Sequence, residues 1–216
     1  MNWDSLQTRE VPLQAAQAAL LFIDVQNFSV RREGGEFKTV NDAEIASRYA
    51  YYFDRLKTLA IPNMQTLQKT CRNAGIEVMY TTIESLTKDG RDRSLDYKIT
   101  GFHVPKGSWD AKVIDELAPI DDEIVLPKTS SSVFISTHID YLLRNLGVRQ
   151  LVLCGLLTDQ CVESAVRDAC DLGYLVTLVP DACATFSQER HDNSLRAIRG
   201  YCRQVTTAQL ISEISI

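Results

Sequence analysis

The sequence has no surplus of positive charge: 23 Lys and Arg stand against 28 Asp and Glu, a formal net charge of −5. That balance gives no electrostatic footprint for polyanions, so neither nucleic acid nor an anionic membrane surface is an expected partner. Long apolar runs are also missing. The longest, Ala18 to Ile23 and Leu151 to Leu157, fall far short of the roughly 20 residues that span a bilayer. The N-terminus (MNWDSLQTRE) lacks a basic segment followed by an apolar core, which argues against a secretory signal and for a cytoplasmic location. No two cysteines are spaced C-x-x-C, which speaks against a zinc ribbon or a thioredoxin-type redox pair. No repeat, low-complexity tract or Pro/Gly/Ser linker divides the 216 residues. A chain of this length suits a single domain, 1–216.

What the sequence does have is six cysteines: Cys71, Cys154, Cys161, Cys170, Cys183 and Cys202. Without a signal they read as thiols rather than as a disulfide framework. They are therefore small buried hydrophobes, or one of them does chemistry.

Short β-like runs alternate with helix-like stretches along the whole chain. The strands are expected at Ala19–Ile23, Ile76–Thr82, Glu123–Leu126, Gln150–Cys154, Tyr174–Val179 and Cys202–Thr206. Helical patterning runs from Asn41 to Asn73, with a break near Pro62, and recurs at Thr137–Asn145, Thr158–Leu172 and Gln188–Arg199, with a last helix at the terminus. Residues 83–108 are polar with scattered Gly and Pro, and read as a long functional or mobile loop. Six β-runs separated by helices predict an α/β fold: a doubly wound, Rossmann-like, six-stranded parallel sheet with helices on both faces, in three layers. Ligands of such sheets bind outside the carboxyl ends of the strands, where the strand order reverses.

Three reactive side chains stand at those ends. Asp24 follows the first strand, Lys128 the third, and Cys161 lies just beyond the fourth. Each has a plain structural reading on its own: a turn carboxylate, a solvated lysine, a core cysteine. At one rim of one sheet they make a nucleophilic set that needs no histidine. Thr158 or Asp159 is a natural N-cap for the helix carrying Cys161. The helix start and a nearby Lys are then expected to lower the thiol pKa, with Asp24 accepting the proton.

The segments Leu20-Leu21-Phe22-Ile23-Asp24-Val25-Gln26-Asn27-Phe28, Val125-Leu126-Pro127-Lys128 and Gly155-Leu156-Leu157-Thr158-Asp159-Gln160-Cys161-Val162 resemble the isochorismatase-like cysteine hydrolases, in the right order and over nearly the whole chain. The resemblance implies Asp24, Lys128 and Cys161 as a catalytic triad. It also implies a cis peptide at Leu156–Leu157, with the backbone N–H groups of Leu157 and Cys161 as the oxyanion hole. Dimers or tetramers are common among such proteins, so a homo-oligomer is expected, with no cofactor.

Within the family, a cysteine at position 161 points away from vinyl ether cleavage of the isochorismatase type and toward amide chemistry. The metal pattern of nicotinamidases has no counterpart in Thr81-Thr82-Ile83-Glu84-Ser85; the one nearby histidine is His103, and His138 and His191 are distant in sequence. No metal site is therefore expected. Lys106-Gly107-Ser108-Trp109-Asp110 and Cys161-Val162-Glu163-Ser164 resemble ureidoacrylate amidohydrolases, and the loop from Glu84 to Tyr97 resembles biuret-hydrolase-like members. A small ureide or amide is the implied substrate, with Asn27, Phe28, Glu84, Trp109 and Gln160 as candidate contacts. An ether hydrolase, a nicotinamidase and a non-catalytic interaction module on the same fold are the alternatives. The other five cysteines and His191 read as structural, and Lys88, Arg91 and Arg93 as a solvated stretch.

Overall fold

β1 (Ala18–Ile23) is six apolar residues long, and every one of them is buried. A run with no polar alternation must be covered on both faces, which places it in the middle of a parallel sheet. In the computed structural model, which describes residues 6–214, it has that place. β2 (Glu77–Ile83), β3 (Ile124–Lys128), β4 (Gln150–Leu156), β5 (Leu175–Ala184) and β6 (Arg203–Gln204) complete the sheet in the order β3-β2-β1-β4-β5-β6. All five pairings are parallel. The first five residues of the segment read for a secretory signal lie outside the described residues.

From β1 the chain moves outward to β2 and β3, then returns to the other side of β1 for β4. Right-handed crossovers in opposite directions put their helices on opposite faces of the sheet. Helices Ile61–Asn73 and Thr207–Ile214 pack on one another, and Val133–Ser136 and Gln188–Ile198 each pack on Glu163–Asp171. The reversal lies between β1 and β4, so their carboxyl ends open the crevice that such folds use for ligands. Gly155 fixes this junction. It has φ +129°, and a Cβ there would lie 2.2 Å from the carbonyl oxygen of Ile23.

Four boundaries differ from expectation. The chain stays helical through Pro62. A wide, π-type turn at Leu56–Ala60 precedes the helix Ile61–Asn73, where Pro62 sits in the first turn, and a missing N–H costs least there. β5 runs five residues beyond Val179, past a register shift opposite Leu153 to Gly155. β6 is only two residues long, because the chain turns away to let Thr207 bind the Asp181 carboxylate through its backbone N–H at 2.9 Å and its hydroxyl at 2.9 Å.

The fourth difference is the stretch 83–108, which contains the helix Leu95–Ile99, capped by Ser94 accepting from the Tyr97 N–H. That stretch is tied down internally. Asp92 accepts from the backbone N–H groups of Leu86 and Thr87, and Arg93 donates to the carbonyls of Gly90 and Phe102. Arg93 is thus a brace within the loop rather than a solvated charge. Phe28, Ile83, Tyr97, Val104 and Ala111 form a small apolar cluster beneath it.

Candidate active site

Asp24 is the first residue past β1 and turns the chain with φ 54°, a left-handed conformation that Asp tolerates better than most residues. Its N–H donates to the Thr81 carbonyl on β2 at 3.1 Å, and its Oδ1 accepts from the Thr81 hydroxyl at 2.8 Å. The carboxylate is thereby aimed along the carboxyl edge of the sheet.

Lys128 ends β3, in the strand itself, and is fully buried. Pro127 beside it has no N–H to donate, which an edge strand accommodates. The Lys128 ammonium lies 2.8 Å from Asp24 Oδ2, 2.8 Å from the Ser130 carbonyl and 3.3 Å from Cys161 Sγ. Those three contacts account for its three N–H donors. Burial by itself opposes the charged form, but Asp24, Cys161 and Tyr97 outweigh it and hold the lysine above its ordinary value. Asp24 Oδ2 has no well-directed hydrogen bond of its own beyond the ion pair, so acceptor capacity is left over.

Cys161 lies in a wide helical turn, Thr158–Val162, that runs directly into the helix Glu163–Asp171. The turn starts at the cis peptide Leu156–Leu157. Neither Thr158 nor Asp159 caps it, contrary to expectation: the residue before the turn is Leu157, and no side chain makes a cap bond. Both side chains reach across to the neighbouring helix region instead. Thr158 Oγ1 is 2.9 Å from His191 Nδ1, and Asp159 accepts from Thr185 and Arg190. His191 in turn contacts Arg55, which donates to the carbonyls of Cys183 and Pro180. His191 is thus a buried strut under the nucleophile turn.

The thiol is not the lowered-pKa thiol that the sequence suggests. Burial pushes Cys161 up to about 12; Lys128 pulls it down, and Asp24 pushes it further up through its charge and a hydrogen bond. The helix start and the lysine are outweighed because the sulfur is only 5% exposed and a second ion would sit next to the Asp24 carboxylate. The resting site is therefore an ammonium beside a neutral thiol, with Asp24 in contact with both. Of the other five cysteines, Cys71, Cys154, Cys183 and Cys202 are buried free thiols and Cys170 is half-buried.

The cluster opens into a cavity of about 330 Å³ walled by Leu156, Leu157, Gln160, Tyr97, Phe102 and Glu36, among others. Gln160 stands where expected. Asn27 does not face this space, since its amide donates to the Trp109 carbonyl at 2.9 Å. Phe28 packs edge-on against Phe102, with ring centroids 4.7 Å apart, and lines an adjoining cavity instead. Glu84 is drawn away to accept from the Gly107 N–H at 2.7 Å. Trp109 is half exposed, and its ring is not part of the wall.

In their place stand Glu36, Asp96, Tyr97 and Thr100. The helix Leu95–Ile99 brings in the middle two, and the Ser94 cap was its one sequence signal. Glu36 follows Gly34-Gly35, and no pattern marked it. Among the described residues, no group of three or more His, Cys, Asp or Glu side chains is placed to hold a metal ion.

A doubly wound parallel sheet with reactive side chains gathered at its reversal point defines an α/β enzyme. Residues 18–209 match the isochorismatase domain, and the chain belongs to that family of hydrolases. It is 30% identical over 188 residues to the ureidoacrylate amidohydrolase RutB of Rhizobium rhizogenes, covering 80% of this chain and 72% of that one. The RutB protein of Agrobacterium fabrum is 29% identical, covering 80% and 78%. A cysteine hydrolase from Pseudomonas syringae superposes with a TM-score of 0.82 at 23% identity over 98% of both chains. An N-carbamoylsarcosine amidase from Thermoplasma acidophilum superposes with a TM-score of 0.68 at 25% identity, covering 88% and 96%.

Proposed function

We propose that the protein is a cysteine-dependent amidohydrolase acting, as a single domain, on a small carbamoyl, ureido or amide substrate through a thioester. The observation that carries this reading is the contact set of Lys128 with Asp24 at 2.8 Å and with Cys161 at 3.3 Å. It lies at the one place where the sheet order reverses.

Burial holds the Cys161 thiol well above its ordinary value, so attack is coupled to proton removal. Cys161 Sγ bonds to the substrate carbonyl carbon while its proton passes to Asp24. The carbonyl oxygen becomes an oxyanion received by the backbone N–H groups of Leu157 and Cys161. The C–N bond then breaks as Asp24 returns the proton to the leaving nitrogen. Water, giving a proton to Asp24, hydrolyses the thioester and frees Cys161, which recovers its proton from Asp24. Lys128 holds Asp24 in place through their 2.8 Å contact while the proton passes on and off it. The names of the similar RutB proteins and of the N-carbamoylsarcosine amidase support a ureide or carbamoyl group as the electrophile. A cytoplasmic homo-oligomer is the accompanying reading.

The test is ammonia release from biuret, ureidoacrylate, N-carbamoyl amino acids, triuret and nicotinamide. Turnover of at least one ureide or amide is expected. Silence across the whole set, from folded protein, would remove the amide chemistry.

A further inference from the structure

We infer that the cavity selects uncharged or cationic amides and ureides rich in N–H donors, and excludes those bearing a carboxylate, with Glu36 and Asp96 setting the selection. This rests on the amidohydrolase reading and narrows it to a class of substrate.

The charges in the wall are one-sided. Glu36, Asp96 and Asp24 all line the cavity, and among the described residues no arginine lines it. Its nearest ammonium, Lys128, is spent on Asp24, the Ser130 carbonyl and Cys161, so the triad presents no free cation to a substrate anion. Arg93, behind Phe102, is turned to backbone carbonyls. Lys38, His103 and Asp110 line the adjoining cavity, which Glu36 also borders. A carboxylate entering the catalytic cavity would meet two carboxyl groups, and neutral donors such as Ser131 and Gln160 in the wall would not balance its charge. An N–H donor would meet acceptors.

The placement of Glu36 is built. Gly34 and Gly35 allow its loop to lie directly on the turn that follows β1: a Cβ on Gly34 would come within 2.2 Å of the Asn27 carbonyl oxygen, and one on Gly35 within 2.6 Å of the Phe28 ring. The Glu36 N–H donates to the Phe28 carbonyl. Its carboxyl is hydrogen-bonded by Ser29 and stands near the buried Tyr52 hydroxyl, and burial raises it to about 7. Asp96 sits on the exposed face of the helix Leu95–Ile99, at the rim.

The experiment compares alkylation of Cys161 by iodoacetamide and by iodoacetate, followed on the Cys161 peptide by mass spectrometry, with 2-mercaptoethanol as the reference thiol. Both reagents need the same thiolate, so its titration cancels in the ratio. The expected amide-to-acid ratio exceeds the reference by about 10-fold or more, and widens between pH 6 and pH 8.5 as Glu36 ionises. Glu36→Gln removes that pH dependence, and both Glu36→Gln and Asp96→Asn bring the ratio toward the reference. A ratio equal to the reference or below it overturns the inference, and a raised ratio that neither substitution moves overturns the assignment to these residues.

Hydrolysis of the matched pair N-carbamoylglycinamide and N-carbamoylglycine separates the two levels. Preference for the amide by about 10-fold supports the inference, and equal or better cleavage of the acid overturns it while leaving the amidohydrolase standing. Cleavage of neither, with the alkylation ratio raised, supports the selection, and silence across the wider ureide and amide set as well removes the amidohydrolase.

Discussion

At the scale of single residues, the site is a matter of where one proton sits. Cys161 carries it at rest, because burial and the Asp24 carboxylate together outweigh Lys128. In the proposed reaction Asp24 therefore has two effects of opposite sign: it disfavours the thiolate and it accepts the proton during attack. Replacing it with Asn separates them. In Asp24→Asn the pH midpoint of iodoacetamide alkylation at Cys161 is expected to fall, while amide turnover falls by about 100-fold or more, the usual range for losing a general base. Retained turnover in this variant would take Asp24 out of the proton path.

Buried His191 and half-buried Glu36 bear on stability with opposite signs. His191 is pulled from 6.5 to about 4, first by burial and then by Arg55. The neutral folded form binds fewer protons than the unfolded chain, so the stability it confers is complete above about pH 6.5 and is lost as pH falls toward 4. Glu36 is raised from 4.5 to about 7. Its contribution is complete below about pH 4.5 and is lost as pH rises toward 7. Between pH 4.5 and 6.5 the two slopes, each up to about 1.4 kcal/mol per pH unit, oppose one another. Urea midpoints in that window are expected to fall on acidification in Glu36→Gln and to rise on acidification in His191→Gln. Parallel profiles in the two variants would contradict the assignment of these protons.

Asp24, Lys128 and Cys161 were legible because each sits at or just past the carboxyl end of an expected strand, where the fold class itself says to look. Glu36 and Asp96 were not, since only the folded loops bring them to the cavity. Glu84 and Trp109 misled for the same reason: nearness in sequence to β2 or to a motif does not aim a side chain, and Glu84 is held by the Gly107 N–H.

Among the elements, the junction of β1 and β4 carries the most. Gly155 lies against the Ile23 backbone with no room for a Cβ, and the residues on either side of that contact lead to Asp24 and to the nucleophile turn. Gly155→Ala is expected to cost about 3 kcal/mol or more, read as a shift of the urea midpoint, and to depress turnover in the fraction that remains folded. A wild-type midpoint would mean that the close approach is not needed. The central strands could be read from their apolar runs, Ala18 to Ile23 and Leu151 to Leu157. The edges and caps could not. β6 ends where Asp181 captures Thr207, and Thr158 and Asp159 bind Gln188–Ile198 and its approach rather than their own turn. Both are tertiary choices that local sequence does not record.

For the whole molecule, the order β3-β2-β1-β4-β5-β6 is what turns three residues spaced far apart in the chain into one cluster. Strand alternation and helix patterning predicted a six-stranded doubly wound parallel sheet but not its strand order, and the net charge of −5 agrees in sign with a cavity walled by Glu36 and Asp96. The proposed activity requires that this cluster work through the sulfur. The direct measurement is ammonia release by Cys161→Ala, shown to be folded by its unchanged urea midpoint, against the native protein on the best ureide or amide. The expected result is a loss of at least about 1,000-fold. Turnover within a few-fold of the native protein would contradict covalent catalysis by Cys161.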